Sequence, residues 1–320
     1  MKTKPKIVVT RKIPLAVADV LEKNFNVAYN HTDVPMTDDE LSTALKTADG
    51  LLCTVSDQIS TRLIQIPGKR VSIISNFGVG VSNIDIKAAE KENLVVTNTP
   101  NVLTEATAET ALFLILAVSR KTTFLEGKLR KKLWQGFSIV EDLGVSLHGK
   151  TLGIVGMGRI GKATARKVKS SLGMKIVFYN RSIVNDIDSE TKQISSLEKL
   201  MQISDVVSIH APGGGDQPII QEKHILKMKE TAFIINTARG DVIDQSALIN
   251  ALENGQIAGA GLDVFEDEPI VPDQLLTLKN VTLLPHIGSA TLQTREAMGF
   301  LAVKNLIAHF NNEEYPSRVV

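Results

Sequence analysis

Arg239, Glu268 and His286 are the residues of this chain whose types and settings best suit chemistry. Arg239 lies between Ile234-Ile235-Asn236-Thr237-Ala238 and Gly240, Glu268 in Val264-Phe265-Glu266-Asp267-Glu268-Pro269, and His286 between Leu283-Leu284-Pro285 and Ile287-Gly288-Ser289. Each follows a short apolar run that reads as a buried strand. In an open parallel sheet the ligand crevice lies outside the carboxyl ends of the strands, so the three side chains share one rim. A guanidinium is permanently charged and grips a carboxylate with two parallel hydrogen bonds. An imidazole gives or takes a proton near neutral pH. A carboxylate on its other ring nitrogen favours the imidazolium by opposite charge. Together they could anchor a 2-oxo acid and protonate its carbonyl oxygen while hydride reaches C2. On spacing alone, Glu266 and Asp267 compete with Glu268 for the acid role.

Hydride needs a donor, and Thr151-Leu152-Gly153-Ile154-Val155-Gly156-Met157-Gly158-Arg159-Ile160-Gly161 reads as its seat. An apolar strand runs into three glycines and then into helical spacing from Lys162 to Leu172, the order a dinucleotide site needs. Gly156 allows the tight turn, Gly158 lets backbone approach a pyrophosphate, and Gly161 lets helix and strand pack closely. The amides heading the helix then face the anion. About twenty residues on, where a free ribose 2′-hydroxyl usually meets Asp or Glu, stands Asn180-Arg181-Ser182. Arg181 can pair with a 2′-phosphate and Ser182 can donate to it. The expectation is NADP(H) in preference to NAD(H), with NAD(H) still possible. His210-Ala211-Pro212 ends another strand, where a cofactor ribose or pyrophosphate would pass. There His210 reads as structural or cofactor-adjacent. Asn76-Phe77-Gly78-Val79-Gly80 offers glycine amides as a small anion nest. His31, His148, His224 and His309 stand in surface-like contexts and read as inert.

The elements that must position these groups alternate. Strands are expected at Lys6–Thr10, Asn26–Asn30, Gly50–Val55, Val71–Phe77 and Leu94–Thr99, with helices at Pro14–Asn24, Asp38–Lys46, Ile59–Ile66 and Asn83–Glu92 between them. Such alternation predicts a parallel sheet covered on both faces. Pro100 marks a boundary. Thr104 to Arg120 is a helix apolar on nearly every face in its second half, hence buried, and the expected place is between domains. A basic segment, Lys128 to Lys132, and the lone Trp134 precede the glycine fingerprint. Beyond it, strands Val206–His210, Ala232–Asn236, Ile257–Leu262 and Val281–Leu284 complete a doubly wound domain. Helix Ser246–Asn254 has Ser246 as expected N-cap and Gly255 as stop. The last helix, Thr291–Phe310, is more than the second sheet needs and is expected to return to the first, leaving a cleft between the domains.

At 320 residues and 43% hydrophobic content the chain can build two cores. Its 36 Lys and Arg against 35 Asp and Glu, a formal charge of +1, argue against nucleic acid or an anionic membrane as partner. Cys53 is the single cysteine, which forbids an intrachain disulfide or thiolate cluster and suits a reducing compartment; no metal site is expected. Met1-Lys2-Thr3-Lys4-Pro5-Lys6 lacks the apolar stretch of a signal peptide, and the longest apolar run, Ala111 to Val118, is too short to span a bilayer. A soluble cytoplasmic protein is expected.

Read together, Gly78-Val79-Gly80, Asn101 to Glu109, the fingerprint, Asn236-Thr237-Ala238-Arg239-Gly240, Gly261 to Pro269 and Pro285 to Thr291 make the whole chain resemble the D-isomer-specific 2-hydroxy acid dehydrogenases, most of all the glyoxylate/hydroxypyruvate reductases. That resemblance implies an α/β fold of two doubly wound parallel-sheet domains. A Rossmann cofactor domain (101–287) is inserted into a flavodoxin-like substrate domain (1–100 and 288–320). It implies Arg239 as substrate anchor, His286 as acid/base and Glu268 as its partner, with Val79, Gly80, Arg239 and His286 as substrate contacts. Cofactor contacts are implied at Thr107, Gly156, Gly158, Arg159, Ile160, Gly161, Asn180, Arg181, Ser182, His210, Pro212, Thr237, Ala238, Asp263, His286 and Gly288. NADPH-dependent reduction of glyoxylate or hydroxypyruvate to the D-2-hydroxy acid, by a homodimer built around its cofactor domains, is the implied function. Alternatives are a relative acting on branched 2-oxo acids or phosphoglycerate, and a nucleotide-sensing corepressor-like binding protein. Phosphoglycerate enzymes usually carry an Arg near Thr54 and many have a regulatory C-terminal domain; Cys53-Thr54-Val55 has no Arg, and that domain is not expected here. The Tyr-containing segment of fermentative D-lactate enzymes is missing near Asn101 to Leu103, and Glu268 stands where the formate branch has glutamine. Gly213-Gly214-Gly215 replaces larger family residues and is expected to loosen its loop.

Overall fold

The structure, a computed structural model, describes residues 4–320. Met1 to Thr3, the start of the segment read above for a leader, lie outside the described residues. The chain divides into two compact units, 1–103 with 289–320 and 104–288.

The first unit alternates β1 (Lys6–Val9), α1 (Leu15–Asn24), β2 (Asn26–Tyr29), α2 (Asp38–Thr47), β3 (Gly50–Thr54), α3 (Thr61–Ile64), β4 (Ile73–Phe77), α4 (Ile86–Lys91) and β5 (Val95–Thr97). Its sheet has the order β2-β1-β3-β4-β5, parallel throughout, which is the flavodoxin-like arrangement. Helix starts are set locally. Thr37 and Glu40 form a reciprocal capping box on α2, and Asp85 accepts from the Ala88 amide on α4. That cap starts α4 at Ile86, later than Asn83, because Asp85 holds the non-helical backbone a cap requires.

The second unit begins with α5 (Thr104–Ser119) and α6 (Thr122–Arg130), then β6 (Thr151–Val155), α7 (Arg159–Leu172), β7 (Lys175–Tyr179), β8 (Lys192–Gln193), α8 (Leu197–Ile203), β9 (Val206–Ile209), α9 (Glu222–Ile225), β10 (Phe233–Asn236), α10 (Gln245–Glu253), β11 (Gly259–Leu262), α11 (Asp273–Thr277) and β12 (Val281–Leu283). The sheet order β12-β11-β10-β9-β6-β7-β8, all parallel, reverses direction of growth at β6/β9, the switch point of a doubly wound sheet. Strands β9, β10 and β11 are buried along their whole length, as central strands covered on both faces must be. Small residues in β11 admit α5: a Cβ on Gly261 would stand 3.0 Å from Leu114 Cβ.

The basic segment Lys128 to Lys132 begins in the last turn of α6, where cations suit the helix dipole. Two local expectations need correction here. The cap of α10 is Asp244, whose carboxylate accepts from the Ala247 amide, and Ser246 lies inside the helix. Helix α5 is buried on one side only, for Phe113 and Leu116 remain 52% and 39% exposed.

The final helix, α12 (Leu292–Asn311), belongs to the first unit. It lies along α1 and β4: Ser75 Oγ donates to Ala302 O at 3.0 Å, and a Cβ on Gly299 would stand 2.5 Å from Val17. The chain end then pairs with β5, with Val319 N donating to Val96 O at 2.8 Å. Among the described residues no helix is long and apolar enough to cross a membrane.

Candidate active site

Arg239, Glu268 and His286 follow β10, β11 and β12, on the same rim of the second sheet as the glycine turn after β6. His286 Nδ1 lies 2.7 Å from Glu268 Oε2; neither Glu266 nor Asp267 makes a bond to that ring. The pair is about one-third exposed, open enough to meet a ligand. Glu268 also accepts from the Phe265 amide at 3.0 Å. Burial raises the Glu268 carboxyl, but the His286 hydrogen bond and charge, the Phe265 amide and the Arg239 charge outweigh it and hold the group below the usual glutamate value. Glu268 therefore feels both His286 and Arg239, which brings the three residues into one electrostatic cluster. Burial pulls the Arg239 guanidinium down, against the opposing charges of Glu268 and Asp241; an arginine still stays charged.

The loop carrying His286 is held from below by Asp263. His286 itself has a left-handed backbone, φ +54°, uncommon for a side-chain-bearing residue. Its amide donates to Asp263 O at 2.9 Å, and the next two amides, Ile287 and Gly288, donate to the two Asp263 carboxylate oxygens at 2.7 and 2.8 Å. Burial nonetheless raises the Asp263 carboxyl above the usual range. Thr107 of α5 abuts the same loop, since a Cβ on Gly288 would stand 3.5 Å from Thr107 Cγ2.

The glycine turn divides its labour physically. Gly156 has φ +94°, and a Cβ there would stand 2.8 Å from His210 C and Ala211 N. A Cβ on Gly161 would stand 2.3 Å from Gly156 O, whereas above Gly158 there is nothing within 4 Å. So two glycines allow close packing and the third leaves open space in front of the α7 amides, starting with Arg159 and Ile160. Thr237, two residues before Arg239, has a buried hydroxyl with no hydrogen-bond partner; a buried polar atom left in this way calls for a ligand or water. Both observations fit a dinucleotide. Asn180 is tied to the turn, its Oδ1 accepting from Met157 N at 3.3 Å. Arg181 and Ser182 are exposed. His210 contacts the turn through its backbone and bonds Ser208 Oγ at 2.9 Å; burial lowers its pKa to about 4, so it is neutral at physiological pH.

The loop Gly213-Gly214-Gly215 is not loosened as expected. Gly214 N–H donates to the Asp241 carboxylate, and a Cβ on Gly213 would stand 2.1 Å from Asp241 Oδ1 and 2.8 Å from Arg239 Cβ. Glycine is required at Gly213 because the loop lies there against Arg239 and Asp241, whereas a Cβ on Gly215 would meet only Gln217 O at 3.4 Å. Asp241 is thus a site neighbour that the sequence reading missed; its one signal was an acid two residues beyond Arg239.

Val79 and Gly80 lie in the first unit. Their loop is fixed by Asn76 Nδ2 on Gly80 O (2.9 Å) and Asn98 Nδ2 on Val79 O (2.8 Å). The Gly78 amide is not free for an anion, because it donates to Asn76 O at 2.8 Å. His224 is not surface-like either: it is 7% exposed, with Nδ1 accepting from Gln221 N at 3.0 Å. His309 is half-buried against Tyr315 and Ser72.

Dinucleotide-dependent oxidoreductases are the class that this fold and rim define, because the glycine turn and a hydrogen-bonded histidine–carboxylate pair open on the same edge of one sheet. Residues 112–288 match the family model described as D-isomer specific 2-hydroxyacid dehydrogenase, NAD binding domain. The chain is 42% identical over 322 residues to a glyoxylate reductase of Thermococcus litoralis, covering 99% of this chain and 97% of that one. It is 40% identical over 321 residues to a glyoxylate reductase of Korarchaeum cryptofilum, covering 99% and 96%. A solved structure of an NADPH-dependent glyoxylate/hydroxypyruvate reductase from Sinorhizobium meliloti, in complex with NADP and malonate, superposes with a TM-score of 0.86 at 34% identity over 99% of this chain and 97% of that one. This chain belongs to the D-isomer-specific 2-hydroxy acid dehydrogenase family, and its cofactor is a nicotinamide dinucleotide.

Proposed function

We propose that this protein reduces a small 2-oxo acid, glyoxylate or hydroxypyruvate, to the D-2-hydroxy acid with NADPH. The observation that carries the reading is the 2.7 Å contact of His286 Nδ1 with Glu268 Oε2. With Nδ1 donating to the carboxylate, Nε2 is left to face substrate, and the proton on it goes to the C2 oxygen. Glu268 orients the ring and balances the imidazolium charge. Arg239 pairs with the substrate carboxylate. When bound, the nicotinamide supplies the hydride that C2 accepts. Thr107, Asp263 and Gly288 fix the loop on which the ring of His286 stands. Gly156, Gly158, Arg159, Ile160 and Gly161 seat the pyrophosphate. Arg181 and Ser182 meet a 2′-phosphate, which sets the preference for NADPH. The names of the curated relatives and the NADP in the Sinorhizobium meliloti structure support the same substrate and cofactor.

A matrix of 2-oxo acids against both nucleotides tests this. Glyoxylate and hydroxypyruvate are expected to exceed branched and phosphorylated 2-oxo acids in kcat/KM, and NADPH to exceed NADH. Clear preference for NADH, or for a bulky acid, overturns the corresponding half of the reading.

We further infer a homodimer formed through the second unit. Phe113 and Leu116 of α5 are exposed, as are Trp134 (62%) and Phe137 (90%) beyond α6, a concentration of apolar surface that soluble chains normally cover. Light scattering should give twice the mass of the 320-residue chain, and Phe137→Asp should shift it toward the monomer.

A further inference from the structure

The turn that reads the cofactor's 2′ position is held by a residue outside every motif above. Gln193 lies on the two-residue strand β8, opposite Phe178 of β7 in parallel register, with Ile194 N donating to Phe178 O at 2.7 Å. That register puts its side chain beside the chain leaving β7. Gln193 Nε2 donates to Ser182 O at 2.9 Å and Asn180 O at 3.4 Å, and its Oε1 accepts from Val184 N at 3.1 Å. One amide group thus satisfies three backbone groups within five residues of a turn that has no regular secondary structure.

Asn180 supplies the inner half of the same network. Its Nδ2 donates to Ser182 O (3.1 Å) and Ser182 Oγ (3.0 Å), while its Oδ1 ties the turn to Met157 of the glycine loop. With Ser182 Oγ already accepting, its own proton is left to donate outward to an anion. The acids that follow are committed elsewhere: Asp186 pairs with Lys162 at 3.2 Å, and Asp188 and Glu190 pair with Lys169 at 2.9 and 2.7 Å, all on α7. Arg181 has no ion-pair partner among the described residues, so its cation is left uncompensated at the tip of a turn whose backbone is fixed on both sides.

We propose that Gln193 is a positioning residue for cofactor specificity: by clamping Asn180 to Val184 it holds Arg181 and Ser182 where they can meet a ribose 2′-phosphate. This rests on the NADPH reading above. Without the clamp the turn samples other conformations, and binding pays the cost of ordering it only when the 2′-phosphate must be gripped. A ligand lacking that phosphate makes no use of the Arg181 and Ser182 side chains.

The test compares wild type with Gln193→Leu, which keeps bulk and removes every polar function, and with Gln193→Ser, which also removes the bulk. Binding of adenosine 2′,5′-bisphosphate and of ADP is measured by calorimetry, and kcat/KM by NADPH and NADH oxidation. Both variants should bind the 2′,5′-bisphosphate about tenfold more weakly, the loss of one to two net hydrogen bonds, with ADP affinity and NADH turnover within about twofold of wild type. The NADPH-to-NADH ratio should fall by the same factor, through KM. Equal weakening of both ligands means a general structural role and overturns the proposal, as does an unchanged ratio. If wild type itself binds the 2′,5′-bisphosphate no better than ADP, the NADPH reading fails first, a result separable from a wild type that discriminates and variants that do so equally well.

Discussion

Substituting Gly213 by alanine adds one methyl group beside Arg239, the residue proposed to anchor substrate, and its cost can be worked from the packing. The new Cβ would stand 2.1 Å from Asp241 Oδ1 and 2.8 Å from Arg239 Cβ. Ordinary contact begins near 3.4 Å, so the carboxylate must withdraw by more than about 1 Å, and the neighbouring Arg239 segment must give as well. Withdrawal breaks the charge-assisted bond from Gly214 N–H to Asp241, a loss of roughly 1.5–3 kcal/mol. A catalytic or anchoring group misplaced by about 1 Å can lose on the order of a hundredfold in rate. Gly213→Ala should therefore lower kcat/KM for the 2-oxo acid between about tenfold and a hundredfold, mostly through KM, because the guanidinium binds ground state and transition state alike. Asp241→Ala removes the closer of the two contacts, that with the carboxylate. The double variant Gly213→Ala with Asp241→Ala should then be less impaired than the two single losses sum to, with coupling of about 1 kcal/mol or more. Steady-state kinetics on the four proteins of this cycle give the answer. Gly213→Ala within twofold of wild type, or strict additivity, would refute the steric account.

Further expectations follow from the same geometry. His286→Ala should lose about a hundredfold to ten-thousandfold in kcat while NADPH titrates its fluorescence normally, since proton transfer is removed and the glycine turn is not; near-normal turnover would disprove the role. His210 has a pKa lowered to about 4 by burial, against 6.5 when free, so the unfolded chain binds the extra proton and stability falls with falling pH from about 6.5 down through 4. At pH 5 the loss relative to pH 8 should approach about 2 kcal/mol. Urea melts of wild type and His210→Gln at both pH values measure it, the variant showing the smaller difference. Asp244→Ala removes the α10 cap bond to Ala247 N, 3.0 Å, and should cost about 1 kcal/mol of stability; an unchanged melting midpoint would contradict the assignment of Asp244 over Ser246.

Much of the scaffold was legible in order along the chain. Mostly apolar runs such as Val206 to Ile209 and Phe233 to Asn236 identify strands buried on both faces, where a polar side chain such as Ser208 or Asn236 must find a hydrogen-bond partner. The Gly156, Gly158 and Gly161 spacing marks the dinucleotide turn, because Gly156 and Gly161 answer constraints only a missing Cβ can meet while Gly158 leaves open space. Strand β8 was not legible, since two exposed residues carry no periodicity. The cap of α10 was misread because Asp244 and Ser246 are both good caps, and only backbone geometry chooses between them.

The sequence by itself determined which groups were available: a guanidinium, an imidazole and competing carboxylates at strand ends, a glycine turn, and no acid at the end of β7. Tertiary structure decided what residue spacing left open: that Glu268 and not Glu266 or Asp267 reaches His286, that the Gly78 amide is already used, and that Gly213 and Gly214 lie against Asp241. The reason is one of range. Strands, turns and caps depend on neighbours a few residues away, whereas these hydrogen bonds join residues 18 to 27 positions apart or depend on one loop's backbone path, and distance along the chain says nothing of direction in space.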